Sequence, residues 1–374
     1  MGSVMADKLK YFFNRRLIQS IAGELRAAHP AFAQARFVTA CLAGLDELEL
    51  TARAGQVAEM MRRYLPQDFA AASEIIVRSL GPELGRTDDF GFAPFRYLPH
   101  VLFVGRYGLE DFDSAMQAQY QLTKRFSAEW SIRAFLSKYP EATCQRLLLW
   151  AGDTSVHVRR LVSEGTRPRL PWAPRLPAFQ ADPRPVLRLL ERLKDDPERY
   201  VQRSVANNLN DIGKDHPDLV IEVCKRWSID APAGRQWIVK HALRSLVKAG
   251  HRGALAILGY AAAPKIEIVS AGFQPRRVRL GAVVRFAFEL VSTARHEQEL
   301  LVDFAVHFVK ANGLRRPKVF KLRKVQLAPR GRIPLAGQVS FASMTTRTPQ
   351  PGRHLIEVLI NGVVFPLGEF DVLA

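Results

Sequence analysis

The sequence predicts a mainly α chain, a HEAT-like helical repeat solenoid, followed by a small all-β sandwich of immunoglobulin type. Three observations predict it. From Asp7 to about Gly259 the chain is rich in Ala, Leu, Arg and Glu, with Pro and Gly as punctuation, which is the composition of helices joined by turns. Inside that stretch three segments rhyme: Asp153 ahead of Val158-Arg159-Arg160, Asp196 ahead of Val201-Gln202-Arg203, and the looser Asp230 ahead of Ile238-Val239-Lys240. The step from Arg160 to Arg203 is 43 residues and from Arg203 to Lys240 it is 37, near the period of about 40–47 residues at which stacked helix pairs repeat. At Ala261-Ala262-Ala263-Pro264 the pattern changes to short alternating segments, so the expected domains are residues 1–264 and 265–374.

Taken in order, Asn14 is an N-cap for an amphipathic helix that begins Arg15-Arg16-Leu17-Ile18. Residues 69–80 form another, stopped by Gly81-Pro82. Phe90, Phe92, Phe95 and Tyr97 then cluster with Pro94 and Pro99 in a loop or short corner, where rings of this size are expected in the core. Trp150 and Trp227 end apolar helices and are expected there too. Between Val201 and Ile212, Val201, Val205, Leu209 and Ile212 make one apolar stripe, with Arg203, Asn207, Asp211 and Lys214 about half a turn away. Beyond Pro264, strands are expected at residues 285–290, 301–309, 318–327, 337–341 and 355–364. The last contains Asn361-Gly362, a strong hairpin signal.

The chain has 374 residues, 48% hydrophobic and 24% charged, enough for two cored domains. No apolar run approaches the roughly 18 residues that span a bilayer, and no signal peptide is evident. Cys41, Cys144 and Cys224 have no metal or CxxC spacing and are read as reduced, buried and cytoplasmic. Lys and Arg outnumber Asp and Glu by 54 to 36, a net charge of +18. Such an excess suits a polyanion, although solubility alone is the simpler alternative. From Lys265 on there are 17 Lys and Arg against 8 Asp and Glu. Residues 310–332 hold nine bases and no acid, more than an edge strand needs to deter aggregation.

Phosphate-loop, dinucleotide, zinc-protease and nucleophile-elbow signatures are absent, and no cofactor or metal is implied. What stands out is carboxylate, indole and base in residues 158–172 and 201–214. Asn207-Asn208-Leu209-Asn210-Asp211 is a poor solvated helix face, because these side chains compete with the backbone for hydrogen bonds. A carboxylate stabilises a developing cation and can hold a water. Each acid also has a structural alternative. Asp211 could cap its helix or pair with Lys214, Glu164 could pair with Arg160, Glu129 with Arg125 or Arg133, and Trp172 could be a core plug.

Ala128-Glu129-Trp130-Ser131-Ile132-Arg133-Ala134-Phe135-Leu136, residues 158–172 and residues 204–214 resemble the bacterial HEAT-like-repeat DNA alkylation-repair glycosylases, in the AlkC branch of the AlkC/AlkD superfamily. Trp130 stands where that branch more often has Phe. Some members carry a C-terminal immunoglobulin-like domain. The resemblance implies a monofunctional hydrolase that cleaves the N-glycosidic bond of cationic bases, chiefly 3-methyladenine and 3-methylcytosine, in duplex DNA without base flipping. It further implies catalytic roles for Asp211, Glu164, Glu129 and Trp172. Arg159, Arg160, Arg167, Arg169, Arg203, Asn207, Asn208, Lys214 and Lys240 would face DNA, as would Arg315, Arg316, Lys318, Lys321, Arg323 and Lys324 of the basic sandwich. A monomer is expected. Two alternatives are a non-catalytic, damage-sensing DNA-binding protein and a protein scaffold whose charge is incidental.

Overall fold

The computed structural model describes residues 9–85, 91–260, 263–344 and 348–374. It divides into two compact units: the chain up to Val220 with Ile229–Ala242, and Ile221–Ser228 with Leu243–Ala374. In the first unit, some helices combine a side-chain cap with an apolar stripe. Asn14 accepts a hydrogen bond from the Leu17 amide at 3.1 Å and opens Arg15–Ala28, which buries Ile18, Ile21, Ala22 and Leu25. Asp68 does the same for Phe69–Ser79, through the Ala71 amide at 2.8 Å.

The HEAT-like repeat is legible in the hydrogen bonds. Helix Pro140–Trp150 pairs with Val156–Gly165, and Arg184–Leu193 with Arg199–Ile212. Ahead of each second helix an aspartate accepts from the amide two residues on: Asp153 from Ser155 at 2.7 Å, Asp196 from Glu198 at 2.9 Å. Six residues past each aspartate a side chain reaches back to its carbonyl, Arg159 to Asp153 at 2.9 Å and Gln202 to Asp196 at 2.7 Å. The second helices of successive repeats lie against one another, so Val156–Gly165 contacts Arg199–Ile212, which contacts Ala233–Ala242. Val201, Val205, Leu209 and Ile212 are at most 1% exposed.

Among its described residues the second unit holds, besides short helical segments, a sandwich of eight strands: β1 Ile266–Gln274, β2 Arg277–Arg279, β3 Val283–Ser292, β4 Gln298–Val309, β5 Arg315–Leu327, β6 Arg332–Ser340, β7 Gly352–Ile360 and β8 Val363–Leu373. They form sheets of order β1-β3-β6 and β2-β8-β7-β4-β5. All pairings are antiparallel except β2 with β8. Alternation drives the packing: Val284, Phe286, Phe288 and Leu290 of β3 face Val302, Phe304 and Val306 of β4 in one core. Asn361 and Gly362 adopt φ of 48° and 79°, the left-handed pair a two-residue hairpin requires, and divide the expected 355–364 strand into β7 and β8.

Trp150 and Trp227 are buried, as their positions predict. The aromatic corner is not simply core: Tyr97 is buried, but Phe92 is exposed and Phe95 half-buried. Phe90 lies outside the described residues. All three cysteines are free, and Cys144 is only half-buried. Among the described residues no helix is long and apolar enough to cross a membrane.

Candidate active site

Second-helix stacking brings Val156–Gly165 against Arg199–Ile212 and joins the two acidic motifs through one guanidinium. Arg167 donates from Nε to Asp211 Oδ2 at 2.8 Å and from Nη1 to Glu164 Oε1 at 2.7 Å. Arg160 is the second bridge. Its Nη1 donates to Glu129 Oε2 at 2.5 Å and to Ser127 Oγ at 3.1 Å, and its Nη2 lies 3.4 Å from Glu164 Oε1. The structural pairings read from the sequence for Asp211 and Glu164 are therefore present. Glu129 is paired across to Arg160 rather than with Arg125 or Arg133. Ser204 Oγ donates to the other oxygen of Glu164 at 2.6 Å, and Lys214 Nζ to Asp211 Oδ1 at 2.9 Å. Three carboxylates thus share three cations in a charge-balanced network that is largely buried except at Lys214.

Burial alone would raise the Glu164 carboxyl, but Arg160 and Arg167, with the Ser204 and Arg167 hydrogen bonds, hold it below its ordinary value. Burial pulls Arg160 and Arg167 down as well, and the carboxylates beside them reverse that, raising both. The network opens on a cleft of about 380 Å³ lined by Glu129, Glu164, Arg160, Arg167, Trp130, Trp172 and Tyr200. Asp211, only 3% exposed, does not line this cleft and reaches it through Arg167.

Trp172 is 82% exposed and holds a left-handed φ of 63°, so it is no core plug. Its loop is clamped from below by Arg133. That buried guanidinium donates to the Gly165 and Arg167 carbonyls at 3.0 and 2.8 Å, and to the Pro174 carbonyl at 2.8 Å. Burial, and then the charge of Arg167, lower Arg133 to about 10.

The cations expected at DNA sort into two groups. Arg159 is held by Asp196 at 2.6 Å and joins one repeat to the next. Arg169 pairs with Asp215 at 2.5 Å, Arg160 and Arg167 serve the carboxylates, and Lys214 covers Asp211 while its side chain stays 46% exposed. Arg203 and Lys240 are exposed with no carboxylate partner among the described residues. Asn207 is half-buried. Asn208 is fully buried and donates to the Ser163 carbonyl at 2.7 Å and Thr166 Oγ1 at 3.1 Å, so its amide joins two helices. On β5, an edge strand, Arg316, Lys318, Lys321, Arg323 and Lys324 are exposed. Arg315 pairs with Glu369 at 2.7 Å, and Lys324 lies 3.9 Å from Glu299.

Sequence reasoning missed Ser127, Arg133 as a loop clamp, and Tyr200, whose ring lies 5.2 Å from the Arg160 guanidinium. The one signal available was short polar side chains interrupting buried helix faces, as at Ser163 and Ser204.

Residues 126–246 match the family model described as DNA alkylation repair enzyme. Residues 267–374 match the model for the C-terminal Ig-like domain of the uncharacterised protein YhaZ. YhaZ of Bacillus subtilis is 37% identical over 372 residues, covering 98% of this chain and 100% of that one. Among solved structures, the alkylpurine DNA glycosylase AlkC of Pseudomonas fluorescens, bound to DNA containing an abasic site analog, is similar with a TM-score of 0.90. It is 37% identical, with 98% of this chain and 99% of that chain covered.

Proposed function

The chain belongs to the AlkC branch of the DNA alkylation repair enzymes, with its C-terminal immunoglobulin-like domain, and from that premise we propose that it is a DNA glycosylase acting on alkylated duplex DNA. The observation that carries the reading is the meeting of Glu129, Glu164 and Asp211 around Arg160 and Arg167, beside a cleft walled by Trp130 and Trp172. The substrates are bases whose alkylation leaves them cationic, 3-methyladenine and 3-methylcytosine. Such a base is already a good leaving group and needs no general acid. It needs negative charge near C1′ as the sugar becomes oxocarbenium-like, and a water on the open face.

Glu129 and Glu164 present that charge at the cleft, and Trp172 packs its exposed ring on the sugar or lesion. Asp211 holds the water. Its Oδ1 is covered by Lys214, a half-exposed and flexible chain. A DNA phosphate that takes Lys214 uncovers Oδ1 while Arg167 keeps Oδ2 in place. Arg203 and Lys240, which no acid among the described residues occupies, hold the backbone. The base is attacked in place, without rotation into a pocket. The test is to incubate the whole chain with methylated duplex DNA and identify each base released. Release of 3-methyladenine and 3-methylcytosine is expected. DNA binding with no base released would make the protein a non-catalytic damage sensor instead.

A further inference from the structure

Phe95, Trp130 and Trp172 wall not only the carboxylate cleft but also a second cavity of about 460 Å³, within the size range of small-molecule sites. Its other walls are Leu50, Leu98, Val101, Leu102, Ala134 and Pro174. The charged groups it touches are engaged elsewhere: Glu49 pairs with Lys10 at 3.1 Å, and Arg106 donates to the Gly55 carbonyl at 3.2 Å.

We propose that this cavity receives the free nucleobase once it has left the sugar. The inference rests on the glycosylase reading and follows from the charge change at cleavage. While attached, the alkylated base is cationic and is attracted to Glu129 and Glu164. When the C1′–N bond breaks, its electron pair stays on the base nitrogen and cancels the positive charge. Water supplies hydroxide to C1′ and the remaining proton is released. The product base is a neutral, flat ring. Carboxylates no longer attract it, whereas an apolar, aromatic-walled space next door does. Acidic cleft and apolar cavity therefore hold the same base before and after the bond breaks.

Ala134 and Leu102 line the cavity and not the cleft, so they separate binding from chemistry. Free 3-methyladenine is titrated into the DNA-free chain while tryptophan fluorescence is followed, and is added as an inhibitor of multiple-turnover excision. Saturable quenching and inhibition are expected. Ala134→Phe, which fills the cavity, weakens both at least tenfold, and Leu102→Ala, which needs no extra room, weakens both severalfold. Each keeps the single-turnover excision rate within twofold. Absence of binding by the free base would overturn the proposal, as would equal binding by both variants. So would loss of single-turnover excision with base binding intact, because the cavity would then hold part of the duplex. Free-base binding is read without any chemistry, so a wild-type chain that binds base but releases none sinks the glycosylase reading alone.

Discussion

Glu164 is 6% exposed, yet the cations of Arg160 and Arg167 keep it ionised and below the ordinary carboxylate range. A folded pKa below the unfolded one means the group adds stability above about pH 4.3 and loses that contribution as the pH falls through its folded value. Urea unfolding should therefore show Glu164→Gln well below wild type at about pH 7, with the gap narrowing only as the pH falls below about 4. A gap of constant size would show that charge is not what Glu164 contributes. Trp172 separates backbone strain from ring function. Its left-handed φ of 63° is costly for a residue with a Cβ and free for glycine. Glycine also loosens the unfolded chain by a comparable amount. Trp172→Gly should keep stability within about 0.5 kcal/mol of wild type while excision falls at least tenfold. Equal falls in melting temperature and activity would mean that the ring only props the loop.

At the scale of elements, the second helices both carry the site and hold the stack together, and the sequence does not tell these tasks apart. Asn208 and Arg203 look alike as polar groups in one helix, but Asn208 points into the neighbouring helix and Arg203 into solvent. Asn208→Ala should cost about 1–3 kcal/mol in chemical denaturation, the penalty of removing a buried hydrogen bond, with duplex affinity unchanged below the unfolding transition. A specific drop in affinity in a fully folded variant would place that amide at the DNA after all. The apolar stripe at 201–212 and the repeat step were legible because burial imposes a period on the residues. The partners of the acids were not. Arg160 reaches Glu129 across 31 residues and Arg167 reaches Asp211 across 44, and nothing local marks such pairs. The sandwich was easier to read, since Asn361-Gly362 states its turn chemistry in two residues.

For the whole molecule, a net charge of +18 predicts binding to duplex that weakens steeply with salt. The charge is not uniformly available: Arg159 and Arg169 are spent on aspartates, whereas Arg316, Lys318 and Arg323 of β5 are exposed without an ion pair among the described residues. Replacing those three by alanine should weaken binding equally across DNA sequences. It should also flatten the slope of log affinity against log salt by about 0.9 for each phosphate that is no longer neutralised. An unchanged slope would remove this strand from the DNA interface.

A buried carboxylate network acting on a sugar that is losing a cationic base has one direct test. Asp211→Asn keeps the size of the side chain and the Arg167 neighbour while deleting the charge. Single-turnover release of 3-methyladenine from methylated duplex should fall by about 10²–10³-fold in this variant, with DNA affinity within twofold of wild type. Release at the wild-type rate would contradict that role for the network.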